Sequence, residues 1–257
     1  VGLQDNSNHN CPILRTCSLR VLILLFVSFL LWSCGEKTDN SGKSVFRYNE
    51  SKGITSLDPA QARSMGNIWA VNQLFDGLVS LDESLMIQPA LAKSWFVSED
   101  RKTYTFQLRN DVRFHESSCF EEGTRPVNAH DFEYSFRRIL EPNTLSPGKW
   151  IFNQVDQENP NCFEAVNDTT LIIRLKQPFP PFLGILSMQY CGVVPREVVE
   201  CSGGEFGRKP VGCGPFKFNA WYQGIKLVLH KNEHFYEQDD EGHPLPYQDA
   251  IGITFIT

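Results

Sequence analysis

The spacing of apolar residues predicts a helix followed by a strand in the first half of the chain. Between residues 64 and 79, apolar side chains recur every three or four positions, the period of a helix with one buried face. These residues are Ile68, Val71, Leu74, Phe75 and Leu78. Further on, Tyr104, Phe106 and Leu108 alternate with polar residues, the period of a strand with one buried face. We therefore predict a helix over residues 64–79 and a strand over residues 104–109.

Similar patterns predict further elements. Asn128 is a good N-cap residue and Asp131 lies in the first turn of a helix that ends at Pro142. A short helix leads through Met188. Strands are predicted over residues 45–49, 168–175, 225–229 and 251–257. Strands interleaved with helices in a non-uniform order indicate α/β architecture.

The N-terminal region has the pattern of an export signal. Arg15 and Arg20 precede a largely apolar run over residues 21–32. As a helix this run rises roughly 18 Å, well short of the roughly 30 Å hydrocarbon core of a bilayer. We therefore interpret residues 1–33 as upstream sequence and a signal peptide rather than a membrane span.

Composition and charge exclude some functions. With 257 residues and 41% hydrophobic content, the chain can bury a substantial core. The net charge is -6 and the pI is about 5.6, and no stripe rich in Lys or Arg occurs. Nucleic acid is therefore not an expected partner.

The sequence offers no candidate catalytic residue, metal site or cofactor site. The G-x-S-x-G, H-E-x-x-H and G-x-x-x-x-G-K-[ST] patterns are all absent. His115 and Cys119 have a spacing that could bind a metal on a helix, but they fall in a predicted loop and have no second pair. We predict a protein that is not an enzyme.

The cysteines leave their pairing open. Five lie after the predicted signal and tether, an odd number, so at least one is free or pairs elsewhere. They are Cys119, Cys162, Cys191, Cys201 and Cys213. Their spacing does not determine which of them form a disulfide.

Several longer stretches occur in a defined order along the chain. They are Leu57-Asp58-Pro59, Phe75-Asp76-Gly77-Leu78, P-A-L-A-K-S-W at residues 89–95, Y-T-F-Q-L-R-N-D-V-R-F-H at residues 104–115 and P-V-G-C-G-P-F at residues 210–216. Together they resemble the family 5 extracellular solute-binding proteins, the oligopeptide- and dipeptide-binding components of ABC importers. The resemblance covers residues 45–257.

The resemblance implies a two-lobed fold of the type II periplasmic binding protein class. Residues 45–79 and 189–257 would form a discontinuous first lobe, and residues 80–188 a domain inserted into it. The second lobe would lie after Thr257, so we interpret the sequence as an N-terminal fragment.

The resemblance also implies a ligand site. The loop of Ala62, Arg63, Ser64 and Met65 would run along the cleft and offer main-chain hydrogen bonds to a peptide; the alternative is a solvated surface loop. Trp150 would border the cleft as a stacking surface, or would simply pack beside a proline. We also assign Cys213 and Gly214 to the ligand site, with Cys213 in place of the family's usual threonine.

Leu31-Trp32-Ser33-Cys34 resembles a bacterial lipobox. Cys34 would then carry a lipid anchor, with residues 34–44 as a flexible tether, at the periplasmic or cell-surface side of a bacterial membrane; the alternative is an ordinary buried cysteine.

The function that the family resemblance implies is a monomeric receptor that passes peptides to an ABC permease driven by an ATPase subunit. Nickel chelates, haem or oligosaccharides are alternative ligands on the same fold. A sensor or chaperone lipoprotein is an alternative role.

Overall fold

A computed structural model describes residues 42–256, in which one four-stranded sheet joins the first and last strands. Its strand order is β1 (Val45–Asn49), β10 (Ala250–Thr254), β9 (Lys226–Lys231) and β8 (Phe216–Tyr222). β1 pairs with β10 in parallel, and the other two pairs are antiparallel. Because β1 and β10 are far apart in sequence, this sheet depends on long-range pairing.

A second four-stranded sheet is formed by the middle of the chain. Its order is β4 (Ala92–Val97), β5 (Thr103–Leu108), β7 (Thr170–Arg174) and β6 (Phe163–Asn167), with every pair antiparallel. A separate hairpin precedes it, formed by β2 (Val79–Leu81) and β3 (Ile87–Pro89). In β5 the alternating residues Tyr104, Phe106 and Leu108 are buried, as their pattern predicts.

Four α-helices accompany these sheets within residues 42–256. They are α1 (Met65–Leu74), α2 (Ala129–Leu140), α3 (Phe182–Leu186) and α4 (Arg196–Cys201). Short 3-10 helices cover Pro59–Gln61, Pro142–Thr144, Lys149–Phe152 and Gln189–Cys191. None of the helices in this range is both long and apolar enough to cross a membrane. The mixed architecture confirms the predicted α/β class.

The start of α2 confirms the predicted N-cap. The Asn128 side chain accepts hydrogen bonds from the N–H groups of His130 and Asp131, and the Asp131 carboxylate accepts one from the Asn128 N–H. This reciprocal capping box satisfies N–H groups that the helix itself cannot pair. Because the cap depends on residues close in sequence, the pattern was sufficient to place it.

The first helix is shorter than its apolar pattern predicts. It ends at Leu74 rather than at residue 79, and Phe75 is already extended. The Leu74 carbonyl instead accepts the N–H of Gly214, and the Leu78 carbonyl accepts the N–H groups of Ala90 and Ala92. Leu78 therefore lies in the extended segment that leads into β2, and its position four residues after Leu74 only resembles a helical spacing. The last strand is also shorter than predicted and ends at Thr254.

An aromatic cluster forms the centre of the core beneath the second sheet. Phe136 of α2 lies 5.0 Å from Phe152 and 5.4 Å from Phe163, measured between ring centroids. All three side chains are fully buried. Such tilted aromatic contacts add to the free energy gained by burying the rings.

The structure pairs two of the five cysteines. Cys119 and Cys201 form a disulfide, whereas Cys162, Cys191 and Cys213 are buried free thiols.

The two four-stranded sheets come from different parts of the chain. The strands of the first sheet all lie within residues 45–79 or 189–257, and those of the second lie within residues 80–188. The division of the chain into a lobe and an inserted domain stays a prediction.

Candidate functional site

Two loops that are distant in sequence are held together by side-chain hydrogen bonds. The Gln61 amide donates to the Thr144 carbonyl at 2.5 Å, and the Ser146 hydroxyl donates to the Ala60 carbonyl at 2.6 Å. We call residues 59–65 the first loop and residues 142–150 the second loop. Because both bonds join a side chain to main chain, each loop is held in position by the other.

A third segment, Gln189–Cys191, contacts both loops. The Gln189 amide donates to the Ala62 carbonyl at 2.9 Å. Gly148 lies directly against the Tyr190 ring, where an added Cβ would come within 2.5 Å of ring carbons. A larger residue at Gly148 would therefore push the second loop away from Gln189–Cys191.

A buried ion pair fixes the start of the first loop. Arg138 of α2 donates two hydrogen bonds to the Asp58 carboxylate, at 2.9 and 2.6 Å, and both side chains are almost fully buried. Asp58 also accepts the N–H of Ala60. Two-pronged guanidinium–carboxylate pairs fix orientation as well as distance, so α2 determines where the loop begins.

The four predicted residues of the first loop are not equivalent. Ala62 is buried, and both its N–H and its carbonyl are paired within the fold. Arg63, Ser64 and Met65 are exposed, and the Ser64 hydroxyl caps α1. Ala62 thus anchors the loop, and the other three residues form its surface.

The exposed part of the first loop has unused main-chain groups. Within residues 42–256, no hydrogen bond is formed by the N–H or carbonyl of Arg63, or by the N–H of Ser64. Arg63 and Ser64 are exposed residues, at a point where the surrounding loop is held by three long-range side-chain bonds. Their unused main-chain groups are a ready set of donors and an acceptor for an extended ligand.

The second loop brings two exposed apolar side chains to the same region. Trp150 is half exposed and Leu145 is 82% exposed; the stacking role of Trp150 stays a prediction. Leu145 also has a left-handed backbone, with φ of 48°. Leu145 was not among the predicted site residues. The sequence does indicate its exposure, because this leucine lies in the stretch Pro-Asn-Thr-Leu-Ser-Pro, whose residues favour a surface turn rather than the core.

Cys213 and Gly214 do not join this surface. They are buried against the end of α1, where an added Cβ on Gly214 would approach the Leu74 carbonyl carbon to 2.7 Å. The Gly214 N–H donates to Leu74, and its carbonyl accepts from Asn232 and bonds to His115. The turn around them therefore connects α1 to the strand that follows.

His115 holds the same turn by both ring nitrogens. Its Nε2 lies 3.0 Å from the Gly214 carbonyl, and its Nδ1 lies 3.3 Å from the Gly212 nitrogen. Only a neutral ring with the proton on Nε2 satisfies both contacts, because Nδ1 must accept. Burial lowers the pKa of His115 to about 4, consistent with this neutral form.

A buried carboxyl lies next to this turn. Burial, together with the nearby Glu237 carboxylate, raises the pKa of Asp76 to about 7. Within the described residues, Asp76 Oδ2 and the Tyr236 hydroxyl have no hydrogen-bond partner. Asp76 is therefore a titratable group beside the buried turn around Cys213 and Gly214, and it does not belong to the exposed first and second loops.

Comparison with known proteins identifies a family model that matches residues 86–257, described as bacterial extracellular solute-binding proteins, family 5 Middle. The dipeptide-binding protein DppE of Bacillus subtilis is 27% identical over 79% of this chain and 38% of its own length. Heme-binding protein A of Haemophilus influenzae is 32% identical over 75% of this chain and 38% of its own length.

A solved structure is also similar to this chain. The periplasmic binding protein DppA of Helicobacter pylori, in complex with the peptide STSA, superimposes with a TM-score of 0.72 at 27% identity. The match covers 86% of this chain and 44% of that structure. The chain thus spans less than half the length of each of these three proteins.

Proposed function

The chain belongs to family 5 of the bacterial extracellular solute-binding proteins, and from this premise we propose that it captures peptides for the permease of an ABC importer. DppE is named for dipeptide binding, and the DppA structure contains a bound peptide. Both support a peptide as the ligand. No catalytic step is required of such a receptor.

One observation supports this proposal most directly: the free main-chain groups of Arg63 and Ser64. A peptide in extended conformation presents N–H and carbonyl groups of its own, which can pair with them regardless of side-chain identity. A loop that is already fixed loses little conformational entropy when it binds. The first loop therefore suits a receptor for peptides of varied sequence.

The other predicted residues take different parts in this proposal. Met65 and Trp150 would contact ligand side chains, since both are exposed and lie on the first and second loops respectively. Ala62, Cys213 and Gly214 are buried and would act by supporting the loop and the adjacent turn.

The remaining half of the site would come from a second lobe. We infer that the two lobes close about a hinge and enclose the peptide, as in other binding proteins that undergo domain closure. The receptor would act as a monomer and deliver its ligand to membrane subunits powered by a separate ATPase. Lipid attachment at Cys34, which lies outside the described residues, would keep it at the outer face of the membrane.

The first experiment is native mass spectrometry of the full-length protein, followed by calorimetric titration with a mixed pool of short peptides. We expect peptides of varied sequence to remain bound through purification. Recovery of haem, a nickel chelate or an oligosaccharide without any peptide would keep the family and overturn the proposed ligand. Haem is a specific alternative because a relative at 32% identity is named for binding it.

A pair of variants tests the role of the main chain. Ser64→Pro and Ser64→Ala both remove the hydroxyl that caps α1, but only proline removes the N–H. The backbone at Ser64, with φ of -87°, is close to the range that proline adopts. We expect Ser64→Pro to bind peptides about fivefold more weakly than Ser64→Ala, the size of one lost hydrogen bond. Equal affinities would contradict the proposed pairing.

A further inference from the structure

The first and second loops carry one exposed cation each, Arg63 and Lys149, and neither loop contains Asp or Glu. The Glu50 side chain lies against Gly66 at the end of the first loop, and Glu141 directly precedes the second loop. Among residues 42–256, neither Arg63 nor Lys149 forms an ion pair, whereas the adjacent Asp58 is neutralised by Arg138. Arg63 and Lys149 are therefore cations of the two loops that have no ionic partner within the described residues.

The same surface exposes large apolar side chains. Met65 is 77% exposed and Leu145 is 82% exposed. Thr144 and Ser146, on either side of Leu145, are the two residues that bond to the first loop. The backbone at Leu145 is thus fixed next to the first loop, although the Leu145 side chain is largely exposed. An exposed apolar side chain of this kind stabilises a complex only when a binding partner removes it from water.

A comparison with Leu85 shows that the position of Leu145 is unusual. Leu85 is also exposed and left-handed, with φ of 60°. It lies in the turn between β2 and β3, where its N–H bonds to Asp82 and the turn closes through Met86. Local turn geometry accounts for the left-handed backbone of both residues, because the Leu145 N–H bonds in the same way to the Pro142 carbonyl. At Leu145 the flanking bonds reach a loop more than eighty residues away.

We propose that this site selects ligands in which a carboxylate lies next to an apolar side chain. Arg63 binds the carboxylate, because its planar guanidinium can donate two parallel hydrogen bonds to it. Leu145 and Met65 contact the apolar side chain. The inference rests on the proposed peptide-binding function and adds a ligand class to it. The carboxylate is either the C-terminus of a peptide or an acidic side chain.

A small set of synthetic peptides tests the proposal by calorimetric titration of the full-length protein. The set consists of tetra-alanine, tetrapeptides in which a single leucine moves along the alanine chain, and the C-terminal amide of each. Amides with one added aspartate separate the two sources of carboxylate. We expect the best leucine peptide to bind about tenfold more tightly than tetra-alanine. We expect its amide to bind about tenfold more weakly, unless an aspartate restores the charge.

Two variants and two matched controls assign these preferences. Arg63→Gln should abolish the preference for a carboxylate and retain the preference for leucine, and Leu145→Asn should do the reverse. Arg47→Gln is the control for charge, since Arg47 is exposed on β1 and has no ion-pair partner among the described residues. Leu85→Asn is the control for backbone strain, because asparagine favours the left-handed conformation at both leucines. Neither control should change any preference.

The possible results separate the proposal from its premise. Peptide binding without either preference, or preferences that survive Arg63→Gln and Leu145→Asn, would overturn the inference alone. Weaker binding of every peptide to Leu145→Asn, tetra-alanine included, would show that Leu145 contacts the closing protein rather than the ligand, and would also overturn it. Absence of binding to any peptide would overturn the proposed function and the inference together.

Discussion

At the scale of single residues, His115 shows how a polar group can be used as a structural contact. It is buried, and both ring nitrogens bond to the turn around Gly212 and Gly214. An added Cβ on Gly212 would lie only 1.9 Å from the Leu74 carbonyl oxygen, so the two backbones are in direct contact. The spacing of His115 and Cys119 in the sequence suggested a metal site only weakly, and the structure gives the histidine a different partner.

The stability of the protein should depend on pH through His115. The pKa of His115 is lowered from 6.5 in the unfolded chain to about 4 in the fold. Its contribution is therefore fully present above pH 6.5 and is lost as the pH falls through 6.5 towards 4. A shift of this size corresponds to roughly 3 kcal/mol, at about 1.4 kcal/mol for each pKa unit.

Chemical denaturation at several pH values, followed by tryptophan fluorescence, measures this contribution. His115→Gln keeps a donor for the Gly214 carbonyl, but its amide oxygen does not occupy the position of the ring Nδ1, so the Gly212 N–H loses its acceptor. We expect this variant to be less stable at pH 7 by about 1 to 3 kcal/mol, and the difference from the wild type to shrink as the pH falls to 4. A difference that stays constant would contradict a neutral, hydrogen-bonded histidine. Comparing the two proteins at each pH removes the contribution of Asp76, whose raised pKa favours the fold as pH falls.

At the scale of elements, the segment after β5 is tied to α4 in two ways. Cys119 forms a disulfide with Cys201. Arg125 pairs with Glu197 of α4 and also with Asp131 of α2, through two hydrogen bonds to each carboxylate. A covalent bond and an ionic network therefore join the same loop to the same helix. In the predicted division of the chain, these contacts link the inserted domain to the first lobe.

Removal of the disulfide should destabilise the protein without changing its fold. The bond closes a loop with a sequence separation of 82 residues, and removing such a disulfide typically costs about 2 to 4 kcal/mol because the unfolded chain gains entropy. Cys119→Ser with Cys201→Ser should lower the melting temperature, and the wild type in reducing agent should behave in the same way. A thiol assay on the oxidised, denatured protein provides the control. If Cys119 and Cys201 both react as free thiols, the disulfide is absent.

At the scale of the whole molecule, the location of the protein depends on a segment that the structure does not describe. The lipobox resemblance predicts that Cys34 is lipidated after export, and residues 34–44 would then separate the fold from the membrane. Two acyl chains hold a protein on a membrane far more firmly than one. The family description as extracellular agrees with export, and lipid attachment is our proposal.

Cell fractionation with a clickable fatty acid tests the anchor. Expressed in a bacterial host, the full-length protein should be labelled and should sediment with membranes. Cys34→Ser should lose the label and leave the membrane fraction, whereas Cys17→Ser, which lies before the apolar run, should keep both. If the wild-type protein is not exported and carries no fatty-acid label, the lipobox prediction is contradicted.

The sequence by itself determined the family, the α/β class, the buried face of β5 and the start of α2. Each depends on residue order or on contacts between near neighbours, such as the capping box of Asn128 and Asp131. It did not determine where α1 ends, which cysteines pair, or which loop residues reach the surface. The end of α1 depends on Gly214, the disulfide on α4, and the exposure of Leu145 on bonds to Gln61 and Ala60. These partners are distant in the chain, so only the tertiary structure could decide them.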